Sequence, residues 1–165
     1  LHVAKYSEAG KKFAEVAAKA KQATTAQFGM MGIYFDNPKD VPAGQTRFCV
    51  GAIIPEGDSV LEQSLDKEGF LIQKLPESTA AVTRFPFNGM LSVLFAVAKV
   101  YKALDQYAKS IGRDEAGPCL EVCYQGDSFC TFYCILENEK SFYMGRPNPK
   151  NYAQFGSFKA KKPMD

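Results

Sequence analysis

Leu120 to Leu136 reads LEVCYQGDSFCTFYCIL. Two runs rich in β-formers flank Gly126-Asp127, a tight-turn composition, although glycine first is weaker than Asn-Gly. The stretch is expected to form a β-hairpin. With a two-residue turn, Cys123 faces Cys130, Cys119 faces Cys134, and Glu121 faces Phe132 between the two cysteine pairs. Side chains alternate along a strand, so these six share one face. Leu120, Val122, Tyr124, Thr131, Tyr133 and Ile135 share the other, which reads as the core face beneath the helices. Glu121 is then expected to point away from the helices. A bulge at the turn would slip the register and scatter this constellation.

The chain has 165 residues, enough for one domain with a core of its own. With 46% hydrophobic and 23% charged residues it falls in the ordinary globular class. A net charge of +2 and dispersed lysines argue against nucleic acid and anionic membranes as partners. The longest apolar run, Met90 to Val100, is interrupted by Ser92 and Lys99 and falls short of the ~20 residues a membrane span needs. No signal peptide is visible, and the chain starts at Leu1, which reads as a piece of a longer protein or a processed form.

Outward from the hairpin, the pattern is helix, strand pair, then the same again. Ser7 is a plausible N-cap for a helix to about Thr25, with Ala9, Phe13, Val16, Ala17 and Ala20 at helical spacing. Phe28 to Phe35 and Thr46 to Ile54 read as strands. They are separated by the Asp36-Asn37-Pro38 turn and a loop from Lys39 to Gln45. Pro55 to Leu65 reads as irregular with one helical turn, Gly69 to Leu75 and Thr79 to Phe85 as strands. Asn88-Gly89 starts a second helix to about Ser110. Its apolar positions (Met90, Leu91, Leu94, Phe95, Val97, Ala98, Tyr101, Leu104) cover more than half its circumference, so it is expected to be largely buried. Lys5-Tyr6 with Gly10 and a helix parallels Arg84-Phe85 with Gly89 and a helix. The fold class is therefore α+β. Duplicated β-α-β-β halves form a mainly antiparallel sheet, with two long helices on one face and a ligand groove between the halves on the uncovered face. The domain is expected over 1–144, with a C-terminal loop (Gly145 to Lys150) and basic tail over 145–165.

Glu121 reads either as a groove acid, pairing with a cationic ligand or protonating a leaving group, or as an exposed strand carboxylate. Burial beside Phe132 would raise its pKa, which suits a general acid. Tyr34 shares a strand face with Met30 and Gly32, so it either lines the groove or is a core or edge tyrosine. Asp36 reads as a turn-former rather than a catalyst. His2 is the one histidine, and no Cys-His or Ser-His-Asp arrangement builds on it. The odd count of five cysteines leaves at least one thiol, expected at Cys49. The four hairpin cysteines have three readings: buried thiols, cross-strand disulfides, or a metal site. Four thiolates on one flat sheet face converge poorly on a tetrahedral centre, so no metal is expected.

GIYFDNPKDVPAGQTRFCVGAII (Gly32 to Ile54) resembles the Tyr-Asp-Asp-Pro stretch of GyrI-like small-molecule-binding domains, relatives of bacterial effector-binding and SOUL haem-binding domains. HVAKYSEAGKKF (His2 to Phe13), VTRFPFNGMLSVLFAVAKVYKALDQYAKS (Val82 to Ser110) and LEVCYQ (Leu120 to Gln125) extend the resemblance over about Leu1 to Phe142. Within the family the likeness runs to the domain of an ER-phagy receptor. The resemblance implies the duplicated fold and a binding module for a hydrophobic small molecule or partner peptide. Its ligand-binding residues would be Tyr34, Met30, Glu121, Phe132, Cys123, Cys130 and Tyr143. It matches Glu121 to a groove glutamate on a late strand. It also implies an alternative, hydrolysis of strained cyclopropanoid electrophiles with Glu121 as acid, for which the sequence offers Tyr34 or Tyr143 as the second polar group placing water; enzyme activity is the less favoured reading. No cofactor is expected, although haem or another hydrophobic ligand is compatible with the family. An intact relative would sit at the ER membrane with this domain in the cytosol, joined to a membrane helix and an autophagy motif absent from this segment.

Overall fold

The computed structural model describes residues 2–37, 41–42, 44–88, 90–113 and 117–144. The expected tail over 145–165, together with Pro38, Lys39 and Gly89 of the expected turn, loop and helix start, lies outside these residues. In chain order the elements are β1 (His2–Val3), a 3-10 turn (Tyr6–Glu8), α1 (Ala9–Ala23), β2 (Gly29–Tyr34), β3 (Arg47–Ile53), α2 (Ser59–Lys67), β4 (Ala80–Pro86), α3 (Met90–Ser110), β5 (Cys119–Tyr124), β6 (Phe129–Ile135) and α4 (Glu139–Phe142).

The sheet has six strands in the order β1-β3-β2-β5-β6-β4, and the pairings are all antiparallel. That order is the duplication made visible. β1-α1-β2-β3 builds one half and β4-α3-β5-β6 the other, and the two meet along β2 and β5 in the middle. Both long helices pack on one face. Phe13 of α1 reaches Gly32 of β2, and Ala96, Val100 and Leu104 of α3 pack with Cys119, Cys130, Phe132 and Cys134. α1 lies over its own half and α3 over the other, so the seam between them runs above β2 and β5.

Four local expectations are corrected. Ser7 lies inside the 3-10 turn, and the residue capping α1 is Glu8, without a side-chain hydrogen bond. The acidic stretch after Pro55 forms α2, whose cap Asp58 accepts a hydrogen bond from the Leu61 amide at 2.9 Å, because an Asp at this position satisfies an otherwise orphaned N–H. Gly69 to Leu75 pairs with no strand; Phe70 and Ile72 instead pack on the Ala20, Phe28, Leu61 and Leu65 cluster beside α2. Phe95, expected in the buried stripe of α3, is exposed, whereas Ala96, Val100, Leu104 and Ala108 are buried.

The hairpin keeps the expected register: Cys123 pairs with Cys130, Glu121 with Phe132 and Cys119 with Cys134. Its turn is longer than two residues. The Asp127 amide donates to the Tyr124 carbonyl at 3.2 Å, and Gly126 takes φ +93°, which a side chain would strain.

Candidate functional site

The hairpin's two faces are assigned the opposite way from expectation. The face carrying Cys119, Glu121, Cys123, Cys130, Phe132 and Cys134 is the one under the helices, so Glu121 points toward α3 and the seam, not away from them. The physical reason is size. Cysteines are small and bury readily, and they meet alanine and valine on α3 at close range. The opposite face is partly wet: Leu120 and Ile135 are buried beneath Phe142 and Tyr143, but Tyr124 is exposed. The candidate site therefore lies on the helix-bearing face, around Glu121.

β2 and β5 position its floor. Gly32 pairs with Glu121 and Tyr34 with Cys119, which puts Gly32, Tyr34 and Glu121 on one surface. A Cβ at Gly32 would meet the Phe13 ring at 2.9 Å and Tyr34 at 3.1 Å, so a side chain there would displace these rings. Tyr34 donates a hydrogen bond to the Glu121 carboxylate at 3.2 Å. Its ring meets Tyr6 edge-on at 5.0 Å and Tyr101 of α3 at 6.4 Å, and Tyr101 in turn meets Phe132 at 6.3 Å. Phe85, Pro86, Phe87, Ala96, Cys130 and Phe132 line a tight crevice together with Glu121.

Glu121 is 8% exposed, and among the described residues it faces no cationic partner. Burial pushes its pKa up, and the hydrogen bond from Tyr34 offsets part of that. Burial also pushes the Tyr34 hydroxyl well up, followed by the nearby Glu121 charge, so Tyr34 stays a donor. The native state thus holds the Glu121 proton more tightly than the unfolded chain, whose glutamates titrate near about 4.3. Stability from this group is fully present below the unfolded value and is lost as pH rises through the folded one. Urea unfolding across a pH series should show that decline in the wild type and a flatter profile in Glu121→Gln, with the variant the more stable protein above the window. A variant less stable than wild type at neutral pH would mean that the carboxylate serves the fold.

The structure brings together Tyr34, Glu121, Phe132, Cys123 and Cys130. Met30 pairs with Cys123 at one end of the floor and packs on the Ala20, Phe28, Leu61 and Leu65 cluster. Tyr143 is corrected: it sits on the opposite face, 5.9 Å from Phe35, and cannot serve this cleft. Cys123 and Cys130 form a disulfide, while Cys119 and Cys134 are thiols, so the hairpin combines two of the readings open in the sequence. Phe85, which lines the crevice, and Phe13 and Tyr101, which pack on the same surface, were not singled out as site residues. A tyrosine hydroxyl within the otherwise apolar stripe of α3 was the available signal for Tyr101. The Asp36 side chain is the buried partner of Arg47, a pairing not expected from the sequence.

The chain matches the GyrI-like small molecule binding domain over residues 2–128. It is 32% identical over 149 residues to testis-expressed protein 264 of Homo sapiens, covering 87% of this chain and 45% of that protein. It is 30% identical over 149 residues to the testis-expressed protein 264 homolog of Mus musculus, covering 87% and 46%. The chain thus spans less than half the length of these relatives. Its duplicated sheet, its two helices on one face and the match across both halves agree: the chain belongs to the family of GyrI-like small-molecule-binding domains.

Proposed function

We propose that the domain binds a compact lipophilic cation in the crevice between α3 and the β4–β6–β5 floor, with Glu121 as its counter-charge. The observation that carries this reading is a buried carboxylate with one hydrogen bond, from Tyr34, and no cation beside it among the described residues. Such a group costs stability where it stands, as buried charge does unless paired. A cationic ligand would supply the missing partner, and the rings of Tyr34, Tyr101 and Phe132 would add apolar burial and cation–π attraction. A tight crevice with a single acid in its lining favours a small molecule over an extended peptide. Its walls must turn aside to admit a ligand, so affinity carries the cost of that opening. The test is a thermal-shift and native mass spectrometry comparison of a tetraphenylphosphonium salt with the neutral triphenylphosphine oxide. The cation should bind and stabilise, and the neutral probe should do so much less. Equal response to both, or to neither, would remove Glu121 from the account.

A hydrolase acting on strained electrophiles is the second reading. What favours it is the Tyr34 hydroxyl within 3.2 Å of Glu121, a second polar group able to place water. Turnover that disappears in Glu121→Gln while binding survives would establish it. The wider context we infer is a receptor of the ER-phagy type anchored at the ER membrane with this domain in the cytosol. Its support is the likeness to testis-expressed protein 264. Among the described residues no helix is long and apolar enough to cross a membrane.

A further inference from the structure

We propose that Glu121, Cys123 and Cys130 form a three-ligand site for a thiophilic divalent cation, zinc by its chemistry, which becomes available when the Cys123–Cys130 disulfide is reduced. Four thiolates spread along a flat hairpin face do not converge, but these three groups do. One ligand atom from each lies within 4.8 Å of the other two. In a tetrahedral zinc site the metal–ligand distances of about 2.0–2.3 Å leave neighbouring ligand atoms roughly 3.5–3.8 Å apart. The three groups are thus close enough to share one ion once the sulfur–sulfur bond is open. The backbone supplies the convergence. Glu121 and Cys123 are two apart on β5 and so share a face, and Cys130 is the direct cross-strand partner of Cys123, with Cα atoms 4.5 Å apart.

The donor set selects the ion. Two thiolates and one carboxylate suit zinc and disfavour magnesium and calcium, which take oxygen ligands. Three protein ligands leave a fourth position open, and Glu121 and Cys130 both line the crevice beside it. Tyr34, donating to the Glu121 carboxylate at 3.2 Å, is the outer partner that orients a metal-bound carboxylate. Among the described residues this is the one group of three such side chains close enough to share an ion. Cys119 and Cys134, at the other end of the hairpin, are outside it.

The chemistry balances with a dithiol as reductant. The dithiol gives two electrons and two protons to the Cys123–Cys130 bond and closes to its own cyclic disulfide. The two thiols then release those two protons as two zinc–sulfur bonds form. The Glu121 carboxylate takes a third position, and the hydrated ion gives up all but one of its waters. The oxidised hairpin leaves Glu121 to the cleft, and the reduced one commits it to the metal. This inference does not rest on the organic-cation reading and stands if the cleft takes no such ligand.

The test is titration of the intact chain with Co²⁺ as spectroscopic probe, followed by displacement with Zn²⁺. Reduction uses a trialkylphosphine, since dithiols chelate metals; the phosphine becomes its oxide and takes the oxygen of one water. Reduced protein should bind one equivalent with a thiolate-to-cobalt charge-transfer band, and air-oxidised protein should show none. The Cys119→Ser/Cys134→Ser double variant should keep the band. Cys123→Ser and Cys130→Ser should each lose it, with far-ultraviolet circular dichroism confirming the fold of at least one. Glu121→Gln should weaken binding by at least about tenfold. Reduced wild type without the band, a band that survives in Cys123→Ser or Cys130→Ser, or unchanged affinity in Glu121→Gln would overturn the site.

Discussion

Asp36→Asn should lower the unfolding free energy by about 3–5 kcal/mol, the cost of leaving a buried charge without its partner. The Asp36 carboxylate accepts hydrogen bonds from the Arg47 amide at 2.6 Å, from Nε at 3.0 Å and from Nη2 at 2.6 Å. The two side chains are 0% and 5% exposed, so water cannot replace either partner. The Arg47 guanidinium also lies over the Phe35 ring, 6.0 Å from its centroid. The pair fixes more than itself. The Tyr6 hydroxyl donates to the Asp36 carbonyl at 2.7 Å and accepts from the Asp36 amide at 2.9 Å, which ties the entry to α1 to the ends of β2 and β3. Replacing both ionic residues together, Asp36→Leu with Arg47→Met, should cost much less than either single change, because no orphaned charge remains. Urea unfolding of the three variants measures this; a single change as mild as the double would mean that the pair is solvated in solution.

Phe132→Ala should cost about 3–5 kcal/mol by removing a large buried ring and leaving a cavity beneath α3. Phe132 is 2% exposed, pairs with Glu121 across the hairpin and with Thr83 of β4, and meets Tyr101 edge-on. The same substitution three residues earlier is the internal control. Phe129 is 49% exposed, so Phe129→Ala should stay within about 0.5–1 kcal/mol. Thermal unfolding should separate the two by roughly 5–15 °C at this chain length. Similar shifts would contradict the assignment of the Cys-Glu-Phe face to the core.

That assignment is where the sequence was least informative. Alternation placed Cys119, Glu121, Cys123, Cys130, Phe132 and Cys134 on one face correctly, and the register held even though the turn was longer than the composition suggested. Which face meets the helices was not legible from polarity. Val122 and Tyr133 look more like core than cysteine and glutamate do. The helices nonetheless took the face whose small thiols allow close approach. The duplication was legible because two β-α-β-β patterns recur at matching positions, and the sheet order follows from joining them along β2 and β5. Gly69 to Leu75 misled because β-branched and apolar residues favour extended backbone whether or not a partner strand lies beside them. Asp36 looked like a turn residue because its ion-pair partner, Arg47, lies across a loop, and one sequence shows no such pairing. Glu121 was found for its company on the strand, and its solitude as a charge became visible only with both helices in place.

Calorimetric titration of tetraphenylphosphonium into the wild-type domain and into Glu121→Gln is the most direct check on the cleft. Binding to the wild type is expected, with a loss of roughly 1–3 kcal/mol in the variant, the range for a hydrogen-bonded charge, and the fold retained. Equal affinity for the two proteins, or binding that survives in Glu121→Gln but is lost when the opposite face is altered at Tyr143, would contradict it.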